Sequence, residues 1–155
     1  MITPADQIVD WRRGVDYIGV TVCFLVHDGK GNVLFQKRGQ QARDERGKWD
    51  IGGGAVEFGE ELTDAVRREI KEELCTEPLE VRFLTAGEAH RTNDGKPTHW
   101  VYLLHAALVD PSSVKIGEPH KIEAIGWYGA DSLPEPMHSQ FHKIVDIAKA
   151  ERILL

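Results

Sequence analysis

The chain has 155 residues, 41% hydrophobic and 28% charged, with 25 acidic and 19 basic side chains and a formal net charge of −6. That length and balance suit a single domain, residues 1–155, with one buried core. The negative charge excludes a protein built to coat a nucleic acid polymer or an anionic membrane, but leaves a phosphorylated small molecule open, since a metal ion can supply positive charge.

Compartment follows from smaller signs. Cys23 and Cys75 make neither a disulfide framework nor a metal-type pair. No apolar run reaches the length of a membrane span, and the first residues lack the basic start and apolar stretch of a secretion signal. A reducing cytoplasm is the expected location.

In chain order, residues 4–14 read as a short helix or an arm. Residues 17–26 are β-branched and aromatic and predict a central strand, and the glycines of 27–32 turn the chain into a second strand at 33–38. The polar stretch 39–48 reads as a surface loop and Gly52-Gly53-Gly54 as a glycine-rich loop feeding a helix from about Glu61 to Cys75. Two β-rich runs, 79–91 and 98–109, meet through Asn93-Asp94-Gly95-Lys96-Pro97, a hairpin signal. After a loop around 111–119, residues 124–128 predict a strand. A terminal helix starts near Ser139, with Phe141, Ile144, Val145 and Ala148 at helical spacing. This order predicts an α/β fold, a mixed sheet with helices packed on it.

The chemistry concentrates between residues 54 and 73. On a helix, Glu69, Glu72 and Glu73 stand at i, i+3 and i+4, so their carboxylates crowd one face and repel one another. Leu62, Val66, Ile70 and Leu74 recur every fourth residue and predict a buried stripe beside them. Solvated acid is the ordinary meaning of such a run. Hard oxygen ligands at the edge of a packed face also suit Mg²⁺ or Mn²⁺. The preceding glycines allow the backbone to approach a ligand closely.

The segment resembles the Nudix box: Gly, five residues, Glu, seven residues, then Arg-Glu-apolar-any-Glu-Glu-any-Gly-apolar. Gly54, Glu60, Arg68, Glu69, Ile70, Glu72 and Glu73 occupy its positions in register. Two positions depart. Cys75 stands where the family has glycine and Thr76 where it has an apolar residue, so a different exit from the helix is expected. Gly52 stands where relatives often have proline, which is expected to loosen the segment before the box.

The resemblance extends over nearly the whole chain and implies the Nudix α/β/α sandwich, a mixed β-sheet packed between helices. It implies Glu72 and Glu73 as the main metal ligands and Glu69 as a further ligand or as the base that activates water. Arg68 would orient Glu69, Gly54 would lend its carbonyl oxygen, Glu57 would be an optional ligand, and Glu60 would fix the loop–helix junction. Mg²⁺, with Mn²⁺ as an alternative, would bridge a diphosphate. Relatives often add a glutamate from the loop before the last strand. Here His120 stands at that place, leaving Glu118 or Glu123 as substitutes.

For substrate contacts the candidates are Lys37 and Arg38 at a strand end, and Trp49 and Trp127 stacking on a base, with Trp100 and Tyr102 as further aromatics. His27, His90 and His105 read as structural. The leading function is a pyrophosphohydrolase of nucleoside di- and triphosphates, of the kind that cleans nucleotide pools. An ADP-ribose or nucleotide-sugar pyrophosphatase is the second reading, weakened because only about sixteen residues precede the first strand. A non-catalytic nucleotide-sensing or protein-binding module is the third. A nucleotide is the expected partner, and monomer or homodimer the expected state.

Overall fold

Val22, Phe24 and Val26 point to one side of the first strand and Cys23 and Leu25 to the other, and this strand is covered on both faces. The computed structural model describes residues 10–155. Residues 4–9 of the predicted helix or arm lie outside that range. Residues 10–14 are not helical: they enter a tight turn in which the Gly14 N–H donates to the Tyr17 carbonyl at 2.8 Å.

β1 (Gly19–His27) is the middle of a seven-stranded sheet, with β2 (Val33–Arg38), β3 (Trp49–Asp50), β4 (Gly52–Ala55), β5 (Glu80–Asn93), β6 (Lys96–Leu108) and β7 (Ile122–Tyr128). It runs parallel to β6 along its whole length, from Gly19 opposite Trp100 to His27 opposite Leu108. On its other edge β4 pairs antiparallel, Val22 opposite Gly54 and Phe24 opposite Gly52, and β2 joins at His27. β2 carries β3 and β7, and β5 forms the outer edge on β6. One parallel pairing among antiparallel ones makes the sheet mixed, as expected from the order of elements.

Two helices cover opposite faces. α1 (Leu62–Leu74) buries Ala65, Val66, Ile70 and Leu74 against Val22, Phe24, Val26 and Leu34. α2 (Phe141–Ala150) buries Phe141, Ile144, Val145 and Ala148 against Leu25, Val33, Phe35 and Leu104. The expected α/β/α sandwich is therefore present. Leu62, predicted in the buried stripe, is 37% exposed at the first turn, and Ala65 takes its place.

Three local expectations change. The triple glycine is not a loop but the strand β4, because its backbone completes β1's ladder. Gly52 therefore does not loosen the segment before the box. The helix exit is also not unusual: Cys75 itself adopts the left-handed conformation, φ 56° and ψ 28°, and its N–H donates to the Lys71 carbonyl at 3.0 Å, ending the helix where a glycine would. The hairpin forms as predicted, with Asp94 and Gly95 at φ 50° and 75° between the paired Asn93 and Lys96.

The polar loop 39–48 is tied down at Asp44, which Arg38 and Arg91 hold, and most heavily at Glu45. Glu45 accepts from the Ser139 N–H at 2.9 Å, Ser139 Oγ at 3.0 Å, Arg91 at 2.6 Å and Lys48 at 3.1 Å, with His138 Nε2 also at 2.6 Å. Burial opposes its ionisation, but the Ser139 N–H, His138 and Lys48 outweigh that and hold the carboxyl down at about 2. A carboxyl depressed in the fold stabilises it above the unfolded value of 4.5 and loses that contribution as pH falls toward about 2. Glu45→Gln is expected to cost about 1–3 kcal/mol and lower Tm at neutral pH by roughly 3–10 °C. The deficit should shrink as pH falls below 4.5; a constant deficit across pH would mean that the charge of Glu45 is not what holds the loop.

Candidate active site

The edge where α1 lies over β4 gathers the carboxylates. A Cβ on Gly54 would overlap the Glu69 carboxyl, and one on Gly52 would meet Glu73 Oε2 and the Phe24 ring. The glycines of β4 are therefore the space that these two side chains occupy, which is why the backbone there carries no side chain.

Arg68 organises the helix side of the cluster. Its Nε and Nη2 grip Glu60 at 2.6 and 3.0 Å, Nη1 donates to Glu69 Oε1 at 2.7 Å, and Nη2 also reaches the Ala55 carbonyl at 3.1 Å. Glu72 stands 3.6 Å from the same guanidinium and is half exposed. Glu60 also accepts the Glu57 N–H at 3.0 Å, closing the turn ahead of α1. Hydrogen bonding to Arg68 holds Glu60 at about 2 and raises Arg68 in return.

Among the described residues no cation pairs with Glu73. Burial raises its carboxyl to about 8, with Glu69 and Glu118 adding repulsion against the Gln36 amide, which donates to Oε2 at 3.1 Å, and the Gly53 N–H. Burial likewise raises Glu69, and Glu72 and Glu118 add to it against Arg68. Two carboxyls held above their ordinary range beside a third and a fourth form a set short of positive charge. The donors are hard oxygens, the carboxylates of Glu69, Glu72, Glu73 and Glu118, while the Gly54 carbonyl, expected as a further ligand, already accepts Thr21 Oγ1 at 2.8 Å and stands opposite Val22 in the ladder. That set fits Mg²⁺ or Mn²⁺.

These groups line an open cleft of about 640 Å³. Trp100 and Tyr102 form an aromatic wall, and the loop 41–44 lies over it with Arg43 5.3 Å from the Trp100 ring centre. Gly14 and Gly19 leave no room for a Cβ beneath the Trp100 indole, so the backbone supports that ring directly. The Cys23 thiol on the floor is pushed up to about 12 by burial, with Asp50 and Glu73 adding to it, which disfavours the thiolate.

Several predicted residues sit elsewhere. Glu57 is exposed in the turn before α1 and does not line the cleft. Trp49 packs edge-on against Tyr128 at 5.5 Å, and Trp127 packs on the α1 core; the cleft's aromatics are Trp100 and Tyr102 instead. The alternation of β3 and β7 turns the first two inward. Arg38 lines the cleft, but its guanidinium is already matched by Asp44 at 2.7 Å and Asp50 at 3.5 Å. Lys37 is held more loosely, 3.8 Å from Glu123, and Lys121 3.5 Å from Glu118. Of the three candidates in the late loop, Glu118 lines the cleft, while His120 does not and Glu123 faces Lys37. Gln36 was missed, although its polar side chain directly after the apolar run Val33–Phe35, on a strand buried through that position, was a legible signal. Arg91 and Asp44 were missed too, since only strand pairing and loop folding bring them to the rim.

Residues 18–146 match the family model described as NUDIX domain. The chain is 31% identical over 139 residues to the mouse 8-oxo-dGDP phosphatase NUDT18, covering 86% of this chain but 39% of that protein's length. It is 35% identical over 119 residues to the nucleoside triphosphatase NudI of Escherichia coli strain K12, covering 72% of this chain and 82% of that one. Among solved structures, a MutT NUDIX hydrolase from Burkholderia pseudomallei superposes with a TM-score of 0.73 at 28% identity, covering 84% of this chain and 97% of the other.

Proposed function

The chain belongs to the NUDIX family of phosphoanhydride hydrolases, and from that premise we propose that it is a metal-dependent pyrophosphohydrolase of nucleoside di- and triphosphates. The observation that carries the reading is the meeting of Glu69, Glu72, Glu73 and Glu118 with the glycine strand inside the cleft. The nucleotide class draws support from the two relatives, whose names record a nucleoside triphosphatase and an 8-oxo-dGDP phosphatase.

Mg²⁺ or Mn²⁺, when bound, supplies the charge that neutralises the diphosphate and polarises the bond to be broken. Glu72 and Glu73 would hold it, beside the Gly54 backbone. Arg68 fixes Glu69 through Oε1, leaving Oε2 to take a proton from the attacking water. Lys37, Lys121 and Arg43 lie along the cleft to meet phosphate oxygens, and the Trp100 and Tyr102 wall receives the base by stacking. Stacking reads no base edge, so several bases are accepted.

The test is a panel of nucleoside di- and triphosphates, ADP-ribose and a nucleotide sugar, assayed with Mg²⁺ and with Mn²⁺ for released phosphate, pyrophosphate and monophosphate. Turnover of several nucleotides, abolished by exhaustive chelation and restored by metal, is the expected result. Full activity after chelation would remove the metal from the reading. If ADP-ribose or the sugar is preferred by more than about tenfold in kcat/KM, roughly 1.4 kcal/mol of transition-state binding, the substrate is of that class. No turnover of any compound by folded, metal-loaded protein would leave a binding module.

A further inference from the structure

The hairpin carries a second cluster of ligating side chains on the face opposite the cleft. Ala89, Arg91, Trp100 and Tyr102 face the cleft, so the alternate residues of β5 and β6 face away from it. His90 stands directly across from His99 in the strand register, and Glu88 lies two residues back on the same face. The two imidazole rings lie 4.1 Å apart, centre to centre, at 33°, and His90 Nε2 is 3.1 Å from Glu88 Oε2. One donor atom from each of the three lies within 4.8 Å of the others. His90 is thus not the structural residue expected from sequence: its side chain is 62% exposed.

One further observation points to a ligand. His99 Nε2 is buried and has no hydrogen-bond partner among the described residues, a rare condition for a polar atom. In the tautomer with its proton on Nδ1, that nitrogen offers its lone pair to a metal. Two imidazoles and a carboxylate form a donor set used for Zn²⁺, with a fourth position open, whereas the all-oxygen set in the cleft suits Mg²⁺. Bonds of about 2.0–2.1 Å around a tetrahedral ion place donors about 3.3 Å apart. The His90–Glu88 separation already matches that, and the exposed side chains of both are free to close the rest.

We propose that Glu88, His90 and His99 form a second metal site, separate from the catalytic one, which takes Zn²⁺ or a similar transition ion in preference to Mg²⁺ and clips β5 to β6. The three donors come together only when the hairpin is paired, so the ion binds the folded form and stabilises it.

The probe is Zn²⁺, titrated calorimetrically into the whole protein in the presence of saturating Mg²⁺. Wild type and Glu73→Gln are each expected to bind one equivalent. The double variant His90→Ala/His99→Ala should lose affinity by on the order of 100-fold, since even outer partners of a metal ligand are worth 10–100-fold. Its Mg²⁺-dependent hydrolysis should remain at the wild-type rate, which shows that the fold is intact. Glu88→Gln, which keeps the shape and removes the charge, should weaken Zn²⁺ binding by a smaller factor. Absence of Zn²⁺ binding by wild type would overturn the site. So would undiminished binding by the double variant, or loss of binding in Glu73→Gln alone, which would assign the Zn²⁺ to the cleft.

Discussion

Glu73→Gln is expected to lower kcat by on the order of 100-fold or more while leaving the fold intact, because it removes a charge placed to support the transition state. A second readout separates this from misfolding. Glu73 is raised by burial to about 8 from an ordinary 4.5, so the metal-free fold favours its neutral form. The sign follows: a carboxyl raised in the folded state contributes stability below its unfolded value and loses it as pH rises through the folded one. Metal-free wild type should therefore lose stability between pH 4.5 and about 8, a window in which the glutamine variant cannot ionise. The variant's Tm should match wild type at the acid end and exceed it at the alkaline end. Unimpaired turnover in a well-folded Glu73→Gln protein would place the active centre elsewhere.

Gly54→Ala should be nearly as severe, through a different cause. The new methyl would occupy the space of the Glu69 carboxyl, and β4 cannot retreat because Gly54 is paired with Val22 across the ladder. Glu69 must swing away, breaking its 2.7 Å contact with Arg68. Displacing a reacting group by about 1 Å costs up to on the order of 100-fold in rate, and overpacking costs about 1–3 kcal/mol of stability. The expected outcome is a kcat/KM lower by 10- to 100-fold, on that same basis, with a Tm a few degrees down. Gly95→Ala supplies the contrast. Its φ of +75° strains any side chain, yet nothing lies within 4 Å, so it should cost stability without touching turnover. Equal activity loss in both variants would show that Gly54 acts through stability alone.

The sequence made the helix legible because its signals are local. The spacing of Val66, Ile70 and Leu74, the run of glutamates and the glycine strand all fall within a few turns of chain. The hairpin was equally legible, since Asp94-Gly95 tolerates the left-handed conformations that its turn requires. The role of the triple glycine was harder to read, because whether glycines form a loop or a strand depends on a neighbour 30 residues away in sequence. Here β1 supplies that neighbour. Which of the candidate aromatics face the cleft was hidden for a similar reason: a tryptophan's face is set by the strand register and by which face each helix covers.

By itself, then, the sequence determined both helices and the longer strands, the mixed sheet they make, and the acidic motif that carries the family's chemistry, all of which are written in short-range spacing. The tertiary structure decided which distant groups join that motif. Folding brings Glu118 and Gln36 to Glu73, sets Trp100 and Tyr102 in the cleft wall in place of Trp49 and Trp127, and engages Arg38 with Asp44. It also lays His90 against His99. Gln36 and Glu118 reach Glu73 from far along the chain, while Arg38 with Asp44 and His90 with His99 are nearer neighbours whose meeting still depends on how the loop and the hairpin register fold. Linear spacing carries no record of them, because side-chain neighbours there are set by ladder register and by the layer that each face packs against.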